Sequence, residues 1–122
     1  MTQHIIIATA AIFGMLSVVF GAFGAHTLKK VLSNEQLQSF EVGVKYQMYH
    51  ALVLLVLGLN PEYITNTIYV CFTLGISLFS FSIYGLILSD ATGKKLRFLG
   101  PITPIGGLLL VAGWGLIFIN LI

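Results

Sequence analysis

The sequence predicts an all-α membrane protein, namely a four-helix transmembrane bundle with both termini outside the cell (N-out/C-out). First, 57% of the 122 residues are apolar and only 8% are charged, whereas an ordinary soluble domain is about a quarter charged. Second, four segments are long and apolar enough to cross a bilayer, which takes roughly 20 residues. Third, the basic side chains fall in loops on one side of those segments. We therefore expect residues 1–122 to form a single transmembrane domain.

The four predicted spans cover residues 5–25, 42–59, 64–88 and 104–121. The first lacks a basic segment before it and is longer than a usual signal-peptide core, so we expect it to be retained. The second contains Lys45 near one end, where a lysine can reach the interface. The third is long enough to span with some tilt. For the fourth, Thr103-Pro104 predicts an N-cap followed by proline at the first helical position.

Between the first two spans, residues 27–41 form a predicted amphipathic cytoplasmic segment. Ser33 is followed three positions later by Gln36, the spacing of a capping box. Apolar residues at helical spacing then continue into the second span. We therefore expect one long helix that begins near Asn34 and enters the membrane.

The distribution of charge predicts the orientation. Three lysines follow the first span, and two lysines and an arginine follow the third, whereas the loop at residues 60–63 has no basic residue. By the positive-inside rule, loops one and three are cytoplasmic. The net charge of +2 is too small and scattered for nucleic-acid binding, which needs a basic face. The basic residues are Lys29, Lys30, Lys45, Lys94, Lys95 and Arg97.

A row of small residues on the first span predicts close helix packing. Steps of three and four residues place them on one helix face, where they let another backbone approach. The single cysteine, Cys71, excludes an intrachain disulfide framework and a cysteine-based metal cluster. The row consists of Ala10, Gly14, Ser17, Gly21 and Ala25.

The second span carries an unusual polar group for membrane depth, in the segment from Tyr46 to His50. Polar side chains in lipid are costly and mark a site or a buried contact. Tyr46, Gln47 and His50 share a helix face, and the topology brings His26 and Thr103 toward the same cytoplasmic end. These five residues are the candidate binding site. The ordinary alternative is that the histidines bond to neighbouring groups and the tyrosines anchor the helix at the interface.

The sequence does not determine which ligand or metal this candidate site would bind. Two histidines on different helices are able to ligate haem or a transition metal, so the metal content is unknown, although no cofactor is predicted. No serine has a plausible base and orienting group in sequence. We therefore predict that the protein is not an enzyme.

Three motifs resemble a known family, that of the domain of unknown function number 423. They are Gly21-Ala-Phe-Gly-Ala-His26, Tyr46-Gln-Met-Tyr-His-Ala51 and Ile102-Thr-Pro-Ile-Gly-Gly107. The resemblance covers essentially the whole chain, with the motifs in the right order. It implies a small four-span protein of the bacterial plasma (inner) membrane, with similar proteins in mitochondria. It supplies no catalytic residues.

The leading functional prediction is a non-enzymatic accessory or assembly partner of a larger membrane complex. Its partners would be the lipid bilayer and another membrane protein, or further copies of itself as a homo-oligomer. The alternatives are an oligomeric transporter or channel, and a protein that binds lipid, quinone, haem or metal through the cytoplasm-facing polar cluster.

Overall fold

The structure, a computed structural model, describes residues 2–122, which fold into four long α-helices. Each helix is long and apolar enough to cross a membrane, so the prediction of an all-α protein with four candidate spans is confirmed. Single 3-10 turns lie in the three connections, at Leu28–Lys30, Pro61–Tyr63 and Arg97–Leu99. The helices are α1 (Gln3–Ala25), α2 (Asn34–Leu59), α3 (Asn66–Ala91) and α4 (Ile102–Leu121).

The starts of the first three helices are capped by side chains. Thr2 and Thr65 accept from the third helical N–H of α1 and α3. Ser33 and Gln36 form the full capping box at the start of α2, as predicted. These caps satisfy N–H groups that have no partner within their helix.

The start of α4 corrects the prediction for Thr103 and Pro104. The helix begins at Ile102, its N-cap is Pro101, and no side chain caps it. Pro104 therefore lies at the third helical position, where its missing N–H removes no intrahelical bond. The Thr103 hydroxyl bonds to Ser82 of α3 instead.

Helices α2 and α3 form the centre of the bundle, with α1 packed mainly on α2 and α4 mainly on α3. Two polar contacts tie the ends of neighbouring helices. Gln3 donates to the carbonyl of Gly58 at 2.9 Å, and Gln36 donates to the Asp90 carboxylate at 3.0 Å. The second contact lies at the end of the bundle that holds the two basic loops, residues 26–33 and 92–101. We call this the basic end.

An apolar core runs through the bundle and contains residues of all four helices. At the basic end, a second cluster joins α2 and α3 around Phe40 and Tyr84. Lipid chains are as apolar as these side chains, so burial alone gives little drive for the helices to associate, and close packing matters more. Fully buried members of the main core include Ile6, Leu54, Ile68, Phe72 and Ile76.

Glycines set the closest helix contacts. A Cβ at Gly106 of α4 would overlap the backbone nitrogen of Phe79 in α3. On the other side, a Cβ at Gly58 of α2 would lie 2.9 Å from Ile7 of α1. Both sites therefore need a residue without a side chain, since backbone or core atoms fill the space.

The small-residue row on α1 is only partly in contact with α2. Ala10 and Ser17 are buried, and a Cβ at Gly21 would lie 3.4 Å from Val44. By contrast, Gly14 has no atom within 4 Å of an added Cβ, and Ala25 is exposed. The row therefore has an inner part that packs within the chain and an outer part that does not.

Candidate functional site

Gln47 is the centre of a buried polar network between three helices. Its side chain has no exposed surface. Its amide Nε2 donates to the backbone carbonyl of Phe13 in α1 at 2.8 Å. Its Oε1 accepts from the Tyr84 hydroxyl of α3 at 2.7 Å. One amide thus bonds to both helices that flank α2.

Two serines extend this network to the turn of α2 before Gln47. Ser17 of α1 donates to the carbonyl of Val44 at 2.9 Å, and Ser80 of α3 donates to the carbonyl of Gly43 at 2.7 Å. We call Gln47, Tyr84, Ser17 and Ser80 the Gln47 network. Because polar groups in lipid need partners within the protein, these bonds satisfy the network while they join α1, α2 and α3.

Aromatic rings cover the network on the side of the basic end. The rings of Phe20 and Phe40 lie 4.7 and 4.9 Å from that of Tyr84, centroid to centroid. Offset and tilted ring pairs at this distance are favourable. The Tyr84 ring is therefore held by packing as well as by its hydroxyl.

His50 makes a separate polar contact, between α2 and α4. Its Nδ1 lies 2.7 Å from the carbonyl of Tyr46, and its Nε2 lies 3.1 Å from the indole nitrogen of Trp114. A carbonyl only accepts and an indole N–H only donates. The geometry therefore assigns the neutral tautomer with hydrogen on Nδ1, and both ring nitrogens are occupied.

Three aromatic rings surround His50, one from the core and two from the outer surface of the bundle. Phe72 and Trp114 lie 5.8 and 6.0 Å from the imidazole, and Tyr46 lies 6.1 Å from it. His50 itself is buried, whereas half of Trp114 and 43% of Tyr46 are exposed. His50 thus lies beneath aromatic rings that face the lipid.

The structure does not bring the five predicted site residues into one cluster. Gln47 faces α1 and α3, while His50 faces α3 and α4. The two residues are three apart, so their side chains point in directions that differ by about 60° around the axis of α2. His26 is exposed at the basic end. His50 lies 16 residues beyond Asn34, or about 24 Å along α2 at the usual rise, which separates it from His26 at the basic end. The Thr103 hydroxyl bonds to Ser82 of α3.

The histidines therefore stand apart from each other. Among residues 2–122, no group of three or more His, Cys, Asp or Glu side chains is placed to hold a metal ion. His26 borders a shallow cavity of ≈ 400 Å³ together with Lys29 and Lys30. These neighbours are cationic, so this cavity suits an anion better than a metal cation.

Two partners in these contacts are absent from the sequence-based site, namely Tyr84 and Trp114. Tyr84 lies 37 residues from Gln47, and Trp114 lies 64 residues from His50. The available signals were weak. Trp114 is the single tryptophan of the chain, and Tyr84 follows Ser80 at the helical spacing of four residues.

A further groove lies at the basic end of the bundle, and Thr103 is the one predicted site residue that lines it. Its apolar part, of ≈ 430 Å³, lies between α2, α3 and α4 and is lined in part by Val42, Ile83 and Pro104. A second cavity of ≈ 430 Å³ shares Leu86, Ile87 and Gly100 with it and is bordered by charged side chains. We call the two together the basic-end groove; its charged border is formed by Asp90, Lys95 and Arg97.

The chain is similar to small membrane proteins from several organisms. Residues 20–107 match the family described as protein of unknown function (DUF423). A UPF0382 membrane protein of Staphylococcus haemolyticus is 41% identical, over 97% of this chain and 95% of the relative. One of Schizosaccharomyces pombe is 40% identical, over 86% of this chain and 91% of that protein. The UPF0382 inner membrane protein YgdD of Escherichia coli is 36% identical, over 100% and 92%. No solved structure matches.

Proposed function

The chain belongs to the DUF423 (UPF0382) family of membrane proteins, and on that premise we propose that it is a non-enzymatic accessory subunit or assembly partner of a larger membrane complex. The deep polar side chains support this proposal. Gln47 and His50 each bond to other helices of the same chain. These two side chains therefore join helices of the bundle, which is what a structural subunit requires.

In this proposal the protein lies in the bacterial inner membrane, which is where the name of the Escherichia coli relative places that protein. Both termini are outside, and the two basic loops are cytoplasmic. The support is the excess of lysine and arginine in those loops, which the positive-inside rule assigns to the cytoplasm.

The observation that carries the proposal is a pair of glycines beside which the described residues leave open space. A Cβ added at Gly14 of α1 or Gly115 of α4 meets no atom of the described residues within 4 Å. In each case an exposed alanine, Ala11 or Ala112, lies three residues earlier on the same face. Gly106 differs, since it contacts a neighbouring backbone.

Small residues at exposed positions of a membrane helix allow a second helix to approach closely. Lipid chains adapt to any side chain and gain nothing comparable from a glycine. The outer helices α1 and α4 thus each present a surface that suits a helix of another protein. Partner helices at these two surfaces would make the chain a link within a complex.

Purification at native expression level tests the proposal. We expect the tagged protein, extracted in a mild detergent, to co-isolate a membrane partner in fixed stoichiometry. Gly14→Leu combined with Gly115→Leu should reduce the partner yield several-fold, because each leucine fills the space that a partner helix would occupy.

The matched control changes exposed apolar residues of the same two helices. Ile12→Leu combined with Leu121→Ile should leave the partner yield unchanged, since both side chains are exposed but lie on other faces of their helices than Gly14 and Gly115. Repeated recovery of the protein alone would contradict the proposal. Recovery only with further copies of itself would replace the accessory role with a homo-oligomer.

A further inference from the structure

The basic-end groove combines an apolar part with an adjoining part that is bordered by basic side chains. Its inner part is apolar and opens between three helices, with Val42, Ile83 and Leu86 among its lining residues. The adjoining part carries Lys95 and Arg97. We propose that this groove binds one anionic phospholipid, with an acyl chain in the apolar part and the phosphate at Lys95 and Arg97.

The loop that carries the two cations is anchored to the end of α3. Gly93 turns the chain in the left-handed region, at φ 82°, a conformation that favours glycine. The N–H of Lys94 then bonds to the Ser89 carbonyl at 3.1 Å. The N–H of Leu96 bonds to the Ser89 hydroxyl at 3.0 Å. These bonds fix the backbone on both sides of Lys95.

The other end of the same loop is held by apolar packing. Leu99 fills the space beside Gly85 of α3, where an added Cβ would lie 2.6 Å from its side chain. Leu96, between the two cations, is 44% exposed, and Phe98, directly after Arg97, is 66% exposed. Alternating basic and apolar side chains suit the interface, where apolar groups enter the acyl region and cations meet headgroups.

The balance of charge favours an anion. Lys95 and Arg97 border the cavity with one carboxylate, Asp90, and that carboxylate accepts a bond from Gln36 at 3.0 Å. Two cations therefore face one engaged carboxylate. Arginine and lysine are the side chains that bind phosphate, and each basic residue at an anionic surface adds about 1 kcal/mol of attraction.

The apolar part of the groove favours a lipid over a soluble phosphate compound as the ligand. A volume of ≈ 430 Å³ lies within the usual range of about 300–1,000 Å³ for ligand sites. A free phosphate would leave this part empty, whereas an acyl chain fills it. The cavity beside His26, Lys29 and Lys30 has cations but shares no lining residue with the apolar part of the groove, so it provides the control.

Native mass spectrometry of the purified full chain tests the proposal. The protein is exchanged into detergent that contains phosphatidylglycerol or phosphatidylcholine with identical long acyl chains. We expect phosphatidylglycerol to be retained at least about tenfold more, as two basic contacts imply. Lys95→Gln with Arg97→Gln should abolish this preference, and Val42→Trp should reduce retention by filling the groove.

Lys29→Gln with Lys30→Gln removes the same charge at the same end and should keep the preference. If both pairs of variants lost the preference for phosphatidylglycerol equally, the proposal would be overturned. That result would indicate that the preference depends on the general charge of the surface. Equal retention of the two lipids would also overturn it. So would tight binding of glycerol phosphate or of short-chain phosphatidylglycerol, since those ligands need no apolar groove.

A protein occupant is the remaining outcome of the test. If Lys95→Gln with Arg97→Gln removed a co-purifying partner but left phosphatidylglycerol retention unchanged, the groove would be a protein site and the lipid proposal would be wrong. The lipid site does not depend on the accessory role, because lipid retention and partner yield are measured separately.

Discussion

At position 47 a glutamine occupies a site with no exposed side-chain surface, where a leucine of similar size would need no polar partners. Its two bonds to Phe13 and Tyr84 join α2 to both neighbours. Interhelical bonds of this kind contribute about 0.6 kcal/mol on average, and up to about 2 kcal/mol, in membrane proteins. Their larger effect is on geometry, since they hold the three helices at one rotation and register.

We predict that Gln47→Leu and Tyr84→Phe are energetically coupled. The double variant should be less destabilised than the sum of the single variants by about 0.5–2 kcal/mol, because each single change leaves the other group without its partner. Thermal unfolding can be followed with a thiol-reactive dye on Cys71, which is buried and is the single cysteine. Tyr63→Phe, at an exposed position, is the control for loss of a hydroxyl. Strict additivity would contradict the network.

At the scale of the element, α4 depends on glycine for its place in the bundle. It has no side-chain cap, and it meets α3 through Gly106, Gly113 and the contact of Leu110 with Gly75. Thr103 and Trp114 add hydrogen bonds to α3 and α2, and close packing supplies the rest of the association, as is usual for membrane helices. The fit of backbone against backbone at Gly106 therefore determines how closely α4 approaches α3.

We predict that Gly106→Ala destabilises the protein by about 1–3 kcal/mol, the usual range for overpacking. The added methyl group would meet backbone atoms of Leu78 and Phe79, which cannot move without shifting α3. Gly115→Ala in the same helix is the matched control, because its Cβ has open space and alanine favours the helix. Equal unfolding temperatures for the two variants would show that α4 does not pack as described.

At the scale of the whole molecule, the charge of the loops gives the protein two different ends. The basic end carries Lys94, Lys95 and Arg97 beside the groove, while the connection between α2 and α3 has Glu62. The cytoplasmic leaflet is the one rich in anionic lipid. The proposed orientation and the proposed lipid site therefore agree on which side the basic loops face.

We predict that a membrane-impermeant maleimide distinguishes the two ends in intact cells. In a Cys71→Ala background, Glu62→Cys should react from outside, whereas Lys94→Cys should react only after the membrane is opened, as the positive-inside rule requires. Both positions are exposed, so burial does not separate them. The reverse pattern would contradict the orientation and would place the groove in the outer leaflet.

Much of this fold could be predicted from local sequence. The capping box at Ser33 and Gln36 is formed by residues three apart, and the four spans follow from runs of apolar residues. The predicted N-cap of α4, Thr103, lies two residues after the observed N-cap, Pro101. Proline is tolerated throughout the first helical turn, so Pro104 alone could not mark its first residue.

The sequence by itself determined that the chain is a membrane protein, that four segments are long and apolar enough to cross a bilayer, and which loops carry the charge. These properties depend on composition and on residues close together in the chain. Only the tertiary structure decided that Gln47 bonds to Tyr84, that His50 bonds to Trp114, and that there is open space beside Gly14 and Gly115. The reason is physical: lipid-facing and protein-facing surfaces of a membrane helix are both apolar, so hydrophobic periodicity does not set the rotation of each helix. Side-chain packing across the bundle sets it instead.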